Sequence, residues 1–309
     1  MNALTTKPTV LLVDDEERIL RSLSMLFQLQ FKVHATTDPH QAIAIARSEP
    51  VHVVVSDQRM PQMLGADLLR EIRAVSPNSM RLLLTGYSEY EAVVASINEG
   101  EVFRFIAKPW NAAELRSSVL QAAEIAMSLS QQAAPEPLVP VAATPAGVLV
   151  IDTDPSTEHS VREIVGAARP VYGAASLDEG FECLAKHDVA VLISELFVNG
   201  EALTGALQML KAQHPEVVTL VLTSFRDVST LVGLINGAQV FRFLPKPLRK
   251  GPLSMSLQSA LNHRQALQVQ PQLARRHAVE EIRGEGDPRI ASKVMSYLSR
   301  LRARRLGSV

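Results

Sequence analysis

The sequence predicts an α/β protein with two tandem domains, each a doubly wound parallel sheet of five βα units, followed by a helical tail. Three observations support this prediction. One stretch of the chain recurs at a fixed offset, short apolar runs alternate with amphipathic segments, and a proline-rich stretch separates the two copies.

The repeat is clearest in "VFRFIAKPW", which returns as "VFRFLPKPL", so that Lys246 follows Lys108 by 138 positions. The same offset aligns residues 80–100 with residues 218–238 without a gap. Because a fixed period marks a repeated structural unit, we interpret the chain as two homologous domains in tandem.

Strands and helices alternate in both copies. In the first copy the predicted strands are 9–13, 31–35, 51–56, 80–84 and 102–106. The predicted helices between and after them are 16–29, 38–47, 64–74, 88–98 and 111–132. The strands of the second copy are predicted at 148–151, 170–174, 189–194, 218–222 and 240–244. Uninterrupted apolar runs such as "VVV" and "LLL" indicate sheets that are covered on both faces.

Composition also predicts the domain boundaries. We expect a first domain at 1–132, a linker at 133–146, a second domain at 147–268 and a helical tail at 269–309. The linker is rich in proline and alanine, which favours an extended, semi-rigid chain. In the tail, helices are predicted near 272–282 and 289–306.

Charge, cysteine content and hydropathy restrict the class of protein. A net charge of −1 and a pI near 6.7 give no whole-chain reason to expect nucleic acid or an anionic membrane as partner. Cys183 is the single cysteine, so an internal disulfide is excluded, which fits a reducing compartment. No uncharged stretch reaches the roughly 20 residues that a membrane-spanning helix needs. We therefore predict a cytoplasmic protein.

Polar side chains stand where the strands of the first copy end: Asp14, Asp15, Asp57, Thr85 and Lys108. In an open parallel sheet these ends meet at one edge, where ligands bind. Three carboxylates brought together repel one another, and a hard divalent cation such as Mg²⁺ relieves that repulsion. Such a site suits phosphoryl transfer to a carboxylate, with the hydroxyl and the ammonium contacting phosphoryl oxygens. Taken alone, any one of these acids is also explained as a solvated loop residue.

These residues, with the turn "DQRMPQMLG" and the pair Lys108-Pro109, resemble the receiver domain of two-component response regulators over about residues 8–130. The resemblance implies the flavodoxin-like strand order and a cis peptide bond between Lys108 and Pro109. It also implies a phosphorelay in which Asp57 accepts a phosphoryl group from a sensor histidine kinase or a histidine phosphotransfer protein.

The same resemblance assigns further roles in the first copy. It implies that Mg²⁺ is held by Asp14, Asp15 and Asp57. It also implies that Thr85 and Phe105 form a switch pair that responds to phosphorylation.

The second copy has lost part of this pattern. The offset places Asp152, Thr153, Glu195, Thr223 and Lys246 at the corresponding positions, so one carboxylate has become threonine and the nucleophile has become glutamate. The extra methylene pushes the carboxylate of Glu195 toward Thr223 and Lys246. We predict a degenerate receiver, or pseudo-receiver, that is not phosphorylated. Glu195 either mimics a phosphorylated aspartate or pairs with Lys246 as a structural residue.

An enzyme is the rival hypothesis for the second copy. The stretch "VLVIDTDPST" fits the Asp-x-Asp strand end of haloacid-dehalogenase-type phosphatases, whose nucleophile and acid would be Asp152 and Asp154. The chain lacks the acidic metal motif expected after the fifth strand, and the gapless register with the first copy favours the degenerate receiver.

The output of the protein is predicted from the residues beyond the second copy. No output enzyme and no helix-turn-helix is recognisable there, so we predict a stand-alone response regulator that signals through protein contacts and is not an enzyme beyond phosphorylation and dephosphorylation of Asp57. The basic end of the tail leaves DNA-binding transcriptional regulation as the alternative. We also expect pairing, within or between chains, through the face formed by 88–98, 102–106 and the helix from 111.

Overall fold

The computed structural model describes residues 7–86, 102–130, 145–199, 201–223, 236, 238 and 240–269, without the side chains of Glu201, Ala202 and Thr223. The predicted helix at 88–98, nearly all of the predicted linker and the predicted tail beyond residue 269 lie outside the described residues.

The first sheet contains five parallel strands, which are β1 (Thr9–Val13), β2 (Lys32–Thr36), β3 (Val53–Asp57), β4 (Met80–Thr85) and β5 (Arg104–Ala107). The helices described with them are α1 (Glu17–Phe27), α2 (Pro39–Ser48), α3 (Gly65–Val75) and α4 (Ala112–Ser130). The strand order is β2-β1-β3-β4-β5, which is the flavodoxin-like order. The predicted fold class is therefore confirmed for this copy.

The second sheet repeats this architecture with β6 (Gly147–Ile151), β7 (Val171–Ala174), β8 (Val189–Glu195), β11 (Val218–Thr223) and β12 (Arg242–Pro245). Its helices are α5 (Pro155–Val165), a short 3₁₀ helix (Gly166–Ala168), α6 (Leu177–Lys186), α7 (Thr204–Gln213) and α8 (Lys250–Val269). The order β7-β6-β8-β11-β12 is parallel throughout and matches that of the first sheet.

A small hairpin distinguishes the second copy. Its strands β9 (Phe197–Val198) and β10 (Glu201–Ala202) pair antiparallel directly after β8. Asn199 lies in the connection at φ 53°, a left-handed conformation that asparagine adopts more readily than most residues. The sequence did not predict this hairpin, which occupies the place of the Met-Pro turn in the first copy.

The core explains why the polar residues collect at the strand ends. Every residue of β1, β3 and β4 is buried, as expected for strands covered on both faces. The helices turn apolar stripes toward them, and in α1 this stripe consists of Leu20, Leu23 and Phe27. Among the described residues, Asp57 and Thr85 lie at the carboxyl ends of β3 and β4, and Asp14 directly follows β1.

The described residues form two compact units. The first contains residues 7–86 and 102–130 together with Asn236, although Asn236 lies within the second copy of the repeat. The other described residues from 145 onward form the second unit. Among the described helices, none has the length and apolar character needed to cross a membrane.

Candidate functional site

Three carboxylates meet at the carboxyl edge of the first sheet. Asp14 and Asp15 directly follow β1, and Asp57 is the last residue of β3. One oxygen from each carboxylate lies within 4.8 Å of the others. Asp14 and Asp57 are buried, whereas Asp15 is exposed. Oxygen donors of this kind suit a hard divalent cation, and the exposed side leaves room for the waters that complete its coordination.

Lys108 provides the positive charge of this cluster. Its Nζ lies 2.7 Å from Asp57 Oδ1 and 3.4 Å from Asp14 Oδ2. Burial acts to lower the pKa of Lys108, but the hydrogen bond and charge of Asp57, with those of Asp14, outweigh it and raise the pKa. Burial raises the pKa of Asp14, against the opposing effect of the Glu16 amide and Lys108. One ammonium therefore contacts two of the three carboxylates.

The main chain holds two of the acids in place. The amide of Glu16 donates to Asp14 Oδ1 over 2.9 Å, and the amide of Gln58 donates to Asp57 Oδ1 over 2.7 Å. The turn that follows β3 brings Gly65 back against the end of that strand. A Cβ on Gly65 would lie 2.0 Å from the main-chain oxygen of Asp57. Only glycine fits this approach, which explains the end of the motif "DQRMPQMLG".

Thr85 is the last residue of β4, the strand next to β3, and Phe105 lies within β5. Both side chains are buried. The hydroxyl of Thr85 donates to the carbonyl of Gly86 over 3.3 Å, and the amide of Lys108 donates to the carbonyl of Thr85 over 2.9 Å. The peptide bond between Lys108 and Pro109 is cis, as the resemblance implied.

The second sheet carries a smaller cluster at the same edge. Lys246 Nζ lies 2.9 Å from Asp152 Oδ2 and 3.1 Å from Glu195 Oε1. Thr153, which replaces the exposed Asp15, is exposed. The main chain of Thr223 ends β11, but its side chain is outside the described part of the structure. Two carboxylates therefore share one ammonium here.

Thr157 belongs to this second cluster, although the sequence analysis did not identify it. Its hydroxyl donates to Asp152 Oδ2 over 2.7 Å, and the amide of Asp154 donates to Asp152 Oδ1 over 2.9 Å. Asp154 itself caps α5 by accepting from the amide of Ser156. The sequence did contain a signal for this role, because Thr157 is polar whereas Ile19, the residue 138 positions earlier in the first copy, is apolar.

The two acids of this cluster have pKa values shifted in opposite directions. Burial acts to raise the pKa of Asp152, but hydrogen bonds from the Asp154 amide, Thr157 and Lys246 outweigh it and lower the pKa. Burial raises the pKa of Glu195, helped by the neighbouring charge of Asp152 and opposed by Lys246. As the pH falls, Glu195 is therefore expected to take up a proton before Asp152 does.

Main-chain contacts confirm that the two copies correspond at an offset of 138 residues. The amide of Gly65 donates to the carbonyl of Gln58, and the amide of Leu203 donates to that of Leu196, each over 3.0 Å. The hydroxyls of Ser56 and Ser194 likewise donate to the carbonyls of the next residues, Asp57 and Glu195. The frame around the two sites is shared, while the reactive side chains differ.

The first copy also matches a known family. Residues 10–120 match the response regulator receiver domain. This match covers the cluster of three carboxylates and Lys108. The family model does not extend into the second copy, whose likeness to the first rests on the internal repeat and on its own sheet.

Curated relatives support the same assignment for the first copy. The hydrogenase transcriptional regulatory protein HoxA of Cupriavidus necator is 36% identical over 38% of this chain and 24% of its own length. The regulatory protein AtoC of Escherichia coli is 32% identical over 40% of this chain and 26% of its own length. The transcriptional regulatory protein GlrR of Escherichia coli is 27% identical over 68% of this chain and 40% of its length. The chain thus spans about a quarter of the first two relatives.

Solved structures resemble part of the chain. The signal receiver domain of an HD domain-containing protein from Pseudomonas fluorescens is 35% identical, covers 43% of this chain and 98% of that chain, and has a TM-score of 0.41. A response regulator receiver domain protein from Clostridium thermocellum is 26% identical, covers 40% of this chain and 98% of that chain, and has a TM-score of 0.37.

Proposed function

We propose that the protein is a response regulator in which Asp57 accepts a phosphoryl group from a phosphohistidine of a sensor histidine kinase or a histidine phosphotransfer protein. The observation that carries this proposal is the contact between Asp57 Oδ1 and Lys108 Nζ, at 2.7 Å, inside a cluster of three carboxylates. The match of residues 10–120 to the receiver domain supports it.

The side chains have separate roles in the transfer. An oxygen of Asp57 attacks the phosphorus, and the bond from phosphorus to the histidine nitrogen breaks, leaving the electron pair on that nitrogen. Lys108, already beside Asp57, then contacts a phosphoryl oxygen, and the hydroxyl of Thr85 donates to another. Mg²⁺ held by Asp14, Asp15 and Asp57 would neutralise charge on the phosphoryl group.

The second unit is proposed as a pseudo-receiver. Lys246 pairs with both Asp152 and Glu195, as Lys108 does with Asp14 and Asp57, so the second site differs in having glutamate at the position of the phosphoacceptor. The contact between Glu195 and Lys246 agrees with the structural interpretation of Glu195. Thr153 offers no carboxylate for a metal ion.

A phosphatase in the second unit is disfavoured by the same contacts. A nucleophilic Asp152 needs an oxygen free to attack phosphorus, yet its two oxygens accept hydrogen bonds from the Asp154 amide, Thr157 and Lys246. Steady hydrolysis of an artificial phosphoester that depends on Asp152 would restore this alternative.

The output is proposed to be protein contact. Transcriptional regulation is the second candidate, because the names of HoxA and GlrR describe transcriptional regulators. A DNA contact would have to come from a part of this chain such as the basic tail at 269–309. Gel shifts at several salt concentrations, with the full chain and with a chain lacking 269–309, separate the two candidates.

Labelling with acetyl phosphate and Mg²⁺ tests the proposed function. We expect one acid-labile phosphoryl group per chain, lost in Asp57→Asn and retained in the matched variant Asp152→Asn. A second label, an acid-stable label, or a label that survives Asp57→Asn contradicts the proposal. Pull-down with phosphorylated and unphosphorylated protein would then identify the partner.

A further inference from the structure

The strand that carries Phe105 lies at the edge of the first sheet. In the order β2-β1-β3-β4-β5, strand β5 has a neighbour within the described residues on one side only. An edge strand presents main-chain N–H and C=O groups that can pair with another chain, and natural proteins cover such edges. The outward main-chain groups of β5 are therefore positioned to pair with another group.

Asn236 provides that partner within the first unit. The amide of Phe105 donates to Asn236 Oδ1 over 2.9 Å, and Asn236 Nδ2 donates to the carbonyl of Phe105 over 2.7 Å. The two residues are 131 positions apart in the chain. The side-chain amide thus presents one acceptor and one donor to a single residue, as the main chain of a neighbouring strand would.

The direction of the strand agrees with this contact. Successive peptide groups of a strand point to opposite sides. The amide of Lys108 donates to the carbonyl of Thr85 on β4, whereas the amide and carbonyl of Phe105 are taken by Asn236. The side chain of Phe105 is meanwhile buried, with 1% of its surface exposed. Both hydrogen bonds of Asn236 therefore go to the main chain of this residue.

We propose that the β5 edge at Phe105 is an intramolecular docking surface whose occupant is Asn236. The side-chain amide of Asn236 closes the edge as a one-residue substitute for a sixth strand. Another strand, including β5 of a second copy of the chain, can pair at Phe105 only after Asn236 has left.

Hydrogen exchange of single main-chain amides in the full chain, followed by NMR, tests this proposal. The Phe105 amide should be protected, and Asn236→Ala should speed its exchange roughly three- to tenfold, as expected for one hydrogen bond. The variant Asn236→Asp should also speed it, because the donor to the Phe105 carbonyl becomes a second acceptor. The Lys108 amide should keep its protection and so report an intact sheet.

A control variant and a series of protein concentrations distinguish protection by Asn236 from other causes. Asn262→Ala removes an exposed side-chain amide that accepts from Gln258, and it should leave exchange at Phe105 unchanged. Protection of Phe105 should not depend on protein concentration. Equal exchange at Phe105 in the wild type and Asn236→Ala overturns the proposal, and so does protection that rises with concentration, which would assign the edge to a second copy.

Discussion

At the edge of the first sheet, Lys108 lies nearer to the acid that ends the third strand, 2.7 Å from Asp57 and 3.4 Å from Asp14. At the edge of the second sheet the preference is weaker and reversed, with Lys246 2.9 Å from Asp152 and 3.1 Å from Glu195. In the second site Asp152 also accepts a hydrogen bond from the hydroxyl of Thr157, and the longer side chain of Glu195 contacts Lys246.

The clusters of the two sheets also differ in net charge. Three carboxylates against one ammonium leave the first cluster with excess negative charge, which favours a divalent cation, and that cation would in turn offset the negative charge of an incoming phosphoryl group. In the second cluster two carboxylates contact one ammonium, so the excess of negative charge is smaller than in the first. A shared fold can therefore hold clusters of different charge, depending on a few side chains.

The largest expected effect is on the rate of phosphorylation. Lys108→Met removes the ammonium beside Asp57, and we expect labelling by acetyl phosphate to slow roughly 10²–10³-fold, the usual loss for one electrostatic partner of a transition state. Lys246→Met should leave the rate unchanged. Equal slowing by both variants would show that the second site takes part in the reaction.

The next largest effect is expected on the free energy of unfolding when Gly65, in the turn after β3, is replaced. Gly65→Ala places a Cβ 2.0 Å from the Asp57 carbonyl, and we expect the free energy of unfolding to fall by about 2–3 kcal/mol in denaturant titrations. The second copy has a buried Leu203 at this position. Gly205→Ala, where a Cβ meets open space in α7, should be neutral or stabilising. A neutral Gly65→Ala would show that the turn is looser than described.

Much of this architecture could be predicted from the sequence because it is encoded in periodic features. The 138-residue offset and the apolar strands predicted both sheets, with β1 at its predicted bounds and most other strand bounds within two residues. The acids of the first cluster stand at strand ends, where their positions follow from the sheet itself.

Other features depend on tertiary contacts that no local pattern encodes. The hairpin β9-β10 begins within a stretch, "LFVNG", that has lost the Met-Pro turn and gives no other signal of its conformation. Thr157 and Asn236 act through hydrogen bonds to atoms distant in the chain or on another element. For Asn236 the available signal was the asparagine shared by "INEG" and "INGA".

A buried lysine gives a pH-dependent contrast between the copies. Lys211 is almost wholly buried, donates to the carbonyls of Pro215 and Val217, and has its pKa lowered by burial to about 8, whereas Arg73 at the corresponding position is exposed. The unfolded chain then binds more protons than the folded chain between pH 8 and 10.5.

The free energy of unfolding of the second unit should therefore rise with pH between pH 8 and 10.5. Below pH 8 Lys211 is charged in the folded chain, so the full cost of burying that charge is present. We expect the free energy of unfolding, relative to Lys211→Met, to increase by about 2 kcal/mol between pH 8 and 10. Denaturant titrations at the two pH values measure this difference. An unchanged difference would mean that Lys211 keeps its ordinary pKa.

The smallest expected effect concerns Thr157. Thr157→Val removes the hydroxyl that donates to Asp152, and we expect a loss of about 1 kcal/mol in the free energy of unfolding near neutral pH. Because the pKa of Asp152 is lowered in the folded state, this contribution is present above pH 3.8 and is lost as the pH falls through the folded value. Thr153→Val, at an exposed neighbour, is the matched control and should be neutral.

Isothermal titration with Mg²⁺ tests the contrast between the two sites most directly. We expect one site per chain, lost or strongly weakened in Asp14→Asn, and unaffected by Asp152→Asn. Removing one carboxylate weakens the site because the remaining ligands compensate poorly for the dehydration of so small an ion. Two sites of equal affinity, or a single site that depends on Asp152 rather than Asp14, would contradict the account.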